Sequence, residues 1–357
     1  MMNDQVDNDS GTGGWDAISA SLAQLYPGQE PRHAAPVRSA FLGGGDPLDG
    51  ISVYHSTQGL PHWHYVTYGL SELYGKESED PDYSGYGLEL TFRLRVLPGE
   101  TEAPSWAFDF LQNLARYVFR TGNVFEDGHW MTANGPIALD TPTSICSMAF
   151  ASDPQLPAIE TVNGRVEFLQ VVGLTLEEER AATRWAPRKL LDALLPHMPL
   201  WITDLERASL LDLPAVGAAV AAGMARDGSS TGHIFTDVLE VTELEMSRAG
   251  PSLQVTLGAR QVADLLTLLP LRLPFGNSLT LAGSDWQLVF EPAGIDGAGL
   301  EDQTLTVFMS PVTLAAFGST LAPFEGDYRL PGLAQVAWSV KKTLIRDAGG
   351  VVVQTIG

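Results

Sequence analysis

The sequence holds one cysteine, Cys146, in 357 residues, so no internal disulfide is available and nothing in the chain demands an oxidising compartment. Cations are scarce. Lys and Arg number 21 against 43 Asp and Glu, a formal net charge of −22 that repels phosphate backbones, because nucleic-acid binding depends on Lys and Arg displacing counterions. A nucleic-acid partner is not expected. No apolar run approaches the ~20 residues of a membrane-spanning helix. The opening Met1-Met2-Asn3-Asp4 carries neither a basic nor an apolar leader segment. The expectation is a cytoplasmic protein with no membrane partner. A Walker-type phosphate loop, a Gly-x-Gly-x-x-Gly following a strand, a His-Glu-x-x-His and a Gly-x-Ser-x-Gly elbow are all missing, which lowers the case for an enzyme. There are no heptads and no repeat of fixed period.

What is present is a globular composition. Hydrophobic residues make up 45% and charged residues 18% of a chain longer than one typical domain, so two domains are the default. The 36 Gly and 23 Pro are scattered without a period, which suits many turns. The acidity serves solubility and also suits a basic protein partner, since complementary charge steers association.

Residues 1–14 are polar and rich in Asp, Asn and Gly, and are expected to be disordered. A short amphipathic helix over 15–25 places Ile18, Leu22 and Leu25 on one face before Tyr26-Pro27-Gly28 stops it. A Gly-rich turn spans residues 43–47. Over 88–96, Leu88, Leu90, Phe92, Leu94 and Val96 alternate with Glu89, Thr91, Arg93 and Arg95, which predicts a strand with one wet face in a partly antiparallel sheet. Ser105 is placed to cap a helix to residue 120 with the stripe Ala107, Leu111, Leu114 and Val118, and Gly122 lies just past its end.

A strand over 166–172 precedes a Thr175/Glu178 capping box, and Pro187 suits the first turn of a helix bearing Leu190, Leu191, Leu194 and Leu195. The Gly, Ser and Asp residues of 226–232 suggest a boundary. Beyond it come apolar strands near 253–257, 279–290 and 305–308. The helical pattern after Gly258 joins Val262, Leu265, Leu266 and Leu269. Ser310-Pro311 forms a further helix start, and strands flank residues 347–350.

Few residues offer chemistry. His62 and His64, two apart on a strand, share a face and with His129 could hold a metal for a hydrolase, although no Cys or carboxylate close in sequence completes the set. The alternative is that they hydrogen-bond the backbone within a partly buried strand. Cys146 with His129 as a base is a weaker candidate still, since a free cysteine is more often a small buried residue. Glu177, Glu178 and Glu179 read as a solvated helix start complementing the helix dipole. Aromatic residues beside polar ones are dense over 61–87 and 116–130. Tyr117, Phe125, Asp127, His129 and Trp130 gather at the end of the 105–120 helix, where rigid aromatics and a carboxylate suit a peptide anchor and equally suit a core.

The stretches Pro61-His62-Trp63-His64-Tyr65-Val66-Thr67-Tyr68-Gly69-Leu70-Ser71-Glu72-Leu73-Tyr74-Gly75 and Ser84-Gly85-Tyr86-Gly87-Leu88-Glu89-Leu90-Thr91-Phe92-Arg93-Leu94 are similar to the signature of the Suppressor of fused family. So, in the family's order, are Gly44-Gly45-Asp46-Pro47-Leu48-Asp49, Leu114-Ala115-Arg116-Tyr117-Val118-Phe119, Phe168-Leu169-Gln170-Val171-Val172-Gly173 and Trp201-Ile202-Thr203-Asp204. The resemblance covers most of 15–238 and is weaker over 239–357, which looks like a shortened second lobe without the long insertion of the animal proteins.

It implies an α+β fold of two α/β lobes, 15–238 and 239–357, with mixed, largely antiparallel sheets flanked by helices and joined by a short hinge. It also implies a non-catalytic protein without cofactors that takes a partner's peptide as an added strand in the cleft between its lobes, as the animal members hold a zinc-finger transcription factor in Hedgehog signalling. Tyr117, Phe125 and Asp127 match peptide-contacting positions of the first lobe, and His233, Phe235 and Leu253 match others near the hinge and in the second. His233 and Phe235 replace smaller residues of the animal family. The chain resembles bacterial members, which are proposed to be immunity proteins against polymorphic toxins, so a basic toxin is an expected protein partner. A self-associating scaffold is a further alternative.

Overall fold

A computed structural model of the chain describes residues 11–36, 45–139, 141–244, 252–346 and 350–357. Two compact units emerge, residues 1–182 with 187–218, and residues 183–186 with 219–357. Most of the stretch expected to be disordered, residues 1–10, lies outside the described residues, as do 43–44 of the Gly-rich turn and 347–349 between the last strands.

The first unit opens with helix α1 (Gly13–Leu25), which starts within the stretch read as disordered. Strands β1 (Arg32–Ala34), β2 (Gly50–Ser56), β3 (His62–Tyr68) and β4 (Tyr83–Arg95) follow, then helix α2 (Trp106–Thr121). After it come β5 (Trp130–Thr132), β6 (Ile145–Ser152), β7 (Ile159–Thr161), β8 (Gly164–Thr175), α3 (Leu176–Arg184) and α4 (Pro187–Leu194). The strands form one sheet in the order β1-β2-β3-β4-β8-β6-β5, with β7 beside β8. Within this sheet, among the described residues, only β4 and β8 run parallel.

The expected wet face of β4 is dry. On one side Leu88, Leu90, Phe92 and Leu94 pack with the α2 stripe Ala107, Leu111, Leu114 and Val118. On the other, Ile18 and Leu22 of α1 and Tyr26 just past its end lie against Tyr54, Val66, Tyr68 and Phe168, closing the sheet over Glu89, Thr91 and Arg93, which are 0% exposed. A period-2 pattern reports which side is polar, and a second helix decides whether that side is wet.

Two helix starts also differ from expectation. Ser105 is the N-cap of α2 but lies at φ −70 and ψ −30 and makes no capping hydrogen bond through its side chain. Glu178 is fully buried, because its carboxylate serves the capping box with Thr175 and takes both Nη atoms of Arg207 at 2.6 and 2.7 Å. Leu195 falls beyond α4 and is exposed.

The second unit contains the end of α5 (Pro214–Asp227), then β9 (His233–Phe235), β10 (Leu239–Glu243), β11 (Leu253–Gly258), α6 (Ala259–Leu268), β12 (Leu279–Ala282) and β13 (Gln287–Pro292). It continues through β14 (Gly297–Glu301), β15 (Thr304–Met309), α7 (Pro311–Thr320), β16 (Gly326–Arg329), β17 (Val336–Lys341), β18 (Thr343–Arg346) and β19 (Val352–Ile356). Two mixed sheets, β10-β11-β17-β16 and β14-β15-β13-β12-β9, share one core that includes Val255, Leu257, Leu281, Phe290, Val307 and Trp338; β18 and β19 form a separate ribbon.

The 279–290 run is a hairpin rather than one strand, since Gly283 N–H bonds back to Trp286 O at 2.8 Å. The division at 218/219 falls earlier than the one read at 238/239. β9 belongs to the second unit's sheet through parallel pairing with β12, and Arg272 Nη1 holds Ser229 O at 2.7 Å.

Candidate functional site

Helix α2 ends where Gly122, at φ +72, donates to Val118 O at 2.8 Å. Beyond it, the Phe125 ring lies 5.5 Å from that of Tyr117 and 4.1 Å from that of Phe150 on β6, forming a three-ring stack. Phe125 is 6% exposed, while Tyr117 is half-buried and accepts from Asn123 Nδ2 at 3.2 Å. A tight turn follows, with His129 N–H on Glu126 O at 3.0 Å and Gly128 N–H on Phe150 O at 2.9 Å. Gly128 sits at φ +90, where a side chain would strain the backbone.

The turn presents Asp127 outward, 41% exposed. It accepts from Ser152 Oγ at 3.2 Å and lies 3.9 Å from Arg188 Nη1. Strand β5, an edge of the eight-stranded sheet, begins just after. Tyr117, Phe125 and Asp127 therefore come together beside a sheet edge.

In the second unit His233 and Phe235 flank Ile234 on β9, the edge of the five-stranded sheet. Ile234 packs on the core while Phe235 stays 80% exposed. Leu253 is different: it lies on β11 between β10 and β17, 8% exposed and part of the core.

The histidines do not assemble. His62 and His64 are fully buried on β3, with His62 Nδ1 2.7 Å from Leu60 O and His64 Nδ1 2.8 Å from Tyr26 Oη. His129 is half-exposed and accepts from Glu126 N–H through Nδ1 at 3.2 Å. Among the described residues no three His, Cys, Asp or Glu side chains are grouped to hold a metal ion. The Cys146 thiol is pushed up by burial and by Glu179 and Glu177, the wrong direction for a nucleophile.

His64 belongs to a buried polar network. Arg93 Nη1 and Nη2 grip Asp153 Oδ2 and Oδ1 at 2.6 and 2.9 Å, and Thr91 Oγ1 donates to Oδ2 at 2.6 Å. Gln170 bonds Arg93 with its oxygen, and its Nε2 donates to Leu200 O and Trp201 O at 2.9 and 3.1 Å. Burial pushes Asp153 up, but the Arg93 guanidinium overcomes it and holds the carboxyl well below its ordinary value. Burial, reinforced by the Arg93 charge, pushes His64 down to about 4. Glu89 accepts from Thr67 Oγ1, Gly69 N, Ser71 N and Ser71 Oγ at 2.6 to 2.9 Å, and burial pushes it up to about 7 against those donors.

The family model for Suppressor of fused protein matches residues 44–208. The human and mouse Suppressor of fused homologs are each 35% identical over 236 residues, 61% of this chain and 48% of theirs, so the matched stretch spans about half the length of these curated relatives. A chain of the Sufu-Fu complex crystal structure aligns at 32% identity and TM-score 0.56, over 58% of this chain and 97% of its own.

The chain belongs to the Suppressor of fused family.

Drosophila Suppressor of fused superposes with TM-score 0.80 at 22% identity over 95% of this chain and 99% of its own, so the family's fold extends through the second unit. Part of the matched stretch builds the buried network. Thr67, Gly69 and Ser71 each donate to Glu89, and Trp201-Ile202-Thr203-Asp204 ties to β4 through Thr203 N–H on Arg93 O at 2.8 Å and Arg95 Nη1 donating to Asp204 Oδ2 at 2.5 Å. Gly173 is required by close approach, since a Cβ there would sit 2.7 Å from both Ile145 and Thr203. Arg188, which touches Asp127, was not picked out by sequence; its one local signal is Asp192 a helical turn on.

Proposed function

We propose that this chain is a protein-binding module that takes a segment of a partner polypeptide as an added strand. The observation that carries the reading is the convergence of Tyr117, Phe125 and Asp127 beside the edge strand β5. An edge strand offers backbone donors and acceptors in register, while neighbouring aromatics and a carboxylate supply choice of side chain. The exposed Phe235 on β9 gives the second unit an edge of the same kind. His233 lies beside it, and Leu253 supports that unit from within its core. The relative crystallised as the Sufu-Fu complex supports a polypeptide as the ligand class.

The finer reading is an immunity, antitoxin-like role in which a basic toxin is sequestered; the net charge of −22 supports a basic partner. Both readings are tested by the double variant Tyr117→Ala/Asp127→Ala in titrations against the purified partner. Loss of an aromatic anchor together with a charged anchor is expected to weaken binding by about 2 kcal/mol or more, roughly thirtyfold. Unchanged affinity would place the partner elsewhere.

A further inference from the structure

Asp127 is not alone. Arg188, in the first turn of α4, has its Cβ 4.0 Å from where a side chain on Gly128 would begin, so it packs on the same turn that presents Asp127. Its guanidinium lies 4.6 Å from the centroid of the Trp201 ring, Nη2 is 3.3 Å from Asp192 Oδ1 and Nη1 is 3.9 Å from Asp127 Oδ1. Nη1 is buried and makes no hydrogen bond among the described residues.

The platform beneath it is fixed. Trp201 is 3% exposed, its Nε1 donates to Leu191 O at 2.9 Å, and Leu200 and Trp201 both hold left-handed backbone, φ 53 and 48, with their carbonyls taken by Gln170. The guanidinium is thus stacked in place, with the two N–H groups of Nη1 unspent among the described residues and 3.9 Å from the carboxylate that the partner is read to meet.

We propose that Arg188 sets the charge preference of the Asp127 site: it neutralises the carboxylate from within, so a cationic partner side chain must compete with Arg188 and an anionic side chain is repelled less. The proposal rests on Asp127 being a partner-binding residue. Without Arg188 the site would seek cations strongly; with it, the choice between Lys and Glu on the partner is levelled. The pair is about two-fifths exposed and solvent screens it, so the effect is a matter of several-fold rather than of all or none.

The test uses a positional-scanning set of ten-residue peptides with an alternating Thr, Val and Tyr background, in which each position in turn is Lys, Gln or Glu. The set is titrated into the full chain and its variants. Arg188→Gln is expected to raise the Lys-to-Glu affinity ratio at one peptide position by about three- to tenfold, an effect that shrinks in 0.5 M salt. Arg188→Lys is expected to restore the lower ratio by returning the charge, and Asp127→Asn/Arg188→Gln to show no rise. If Asp127→Asn weakens binding but Arg188→Gln leaves the ratio unchanged, or lowers all affinities alike, Arg188 plays only a structural part and the proposal falls while the peptide site stands. If no peptide binds, or Asp127→Asn alters none of them, the peptide site itself is wrong and the proposal goes with it.

Discussion

On β4 of the first unit the residues behind the apolar face are Glu89, Thr91 and Arg93, all sealed from water; on β11 of the second they are Gln254 and Thr256, half in solvent. The second unit follows the ordinary rule that a sheet shows one dry and one wet face, with both sheets turned onto a single apolar core. The first unit buries both faces and sets bonded polar groups among the apolar residues of one of them. Such groups are costly unless every partner is in place, and that requirement restricts which residue types fit. The two cores should therefore tolerate change differently: an apolar core accepts exchanges of similar volume, whereas a bidentate Arg93–Asp153 pair does not.

The largest expected effects set the two cores against each other. Arg93→Ala strands Asp153 without its counterion, and Trp338→Ala opens a cavity beside Phe290 and Phe317; each is expected to cost about 3–5 kcal/mol in urea denaturation. They part company in double variants. Arg93→Met/Asp153→Leu is expected to cost clearly less than the sum of its single changes, since the uncompensated charge disappears, whereas Trp338→Ala with Leu281→Ala adds apolar loss to apolar loss. Simple additivity for the Arg93–Asp153 pair would mean that the first core is not organised by that ion pair.

A smaller effect is pH dependence. His62 and His64 are pushed down to about 4 from 6.5, chiefly by burial, so the unfolded chain binds more protons between those values. Their contribution is complete above pH 6.5, declines as pH falls towards 4 and is roughly 3 kcal/mol per histidine at its fullest, by order of magnitude. Glu89, raised to about 7, works the other way, its contribution fading as pH rises through 7. Two histidines outweigh one carboxyl, so stability is expected to rise from pH 4 to 6.5. His64→Gln should flatten that rise when denaturation midpoints are compared across the range; an unchanged slope would contradict the buried neutral imidazole.

The smallest contrast is between two caps. Ser310 Oγ accepts from Thr313 N–H at 3.2 Å and donates to Asp296 Oδ2 at 3.1 Å, so Ser310→Ala is expected to cost about 1 kcal/mol. Ser105→Ala, which removes no capping bond, should stay within about 0.5 kcal/mol. Equal costs in thermal denaturation would break the distinction.

Much of the fold was legible because local patterns were strong. The α2 stripe, the Thr175/Glu178 box and the Ser310-Pro311 start all stand where the residues put them. What stayed hidden needed long-range contact. Nothing near Glu89 or Arg93 announces that α1 covers them, and nothing near Glu178 announces Arg207. The site was legible only in part for the same reason. Tyr117, Phe125 and Asp127 are close in sequence and meet in space, but Arg188 reaches Asp127 from another helix, and the apolar alternation around Leu253 gives no hint of surface access.

Strand capture is proposed at the edge beside Asp127. Amide hydrogen exchange, measured with and without the tightest peptide of the scanning set, tests it most directly. Slowed exchange is expected at residues 130–132 of β5, with little change across β11. Protection confined to other segments, with β5 exchanging as before, rules strand capture at this edge out.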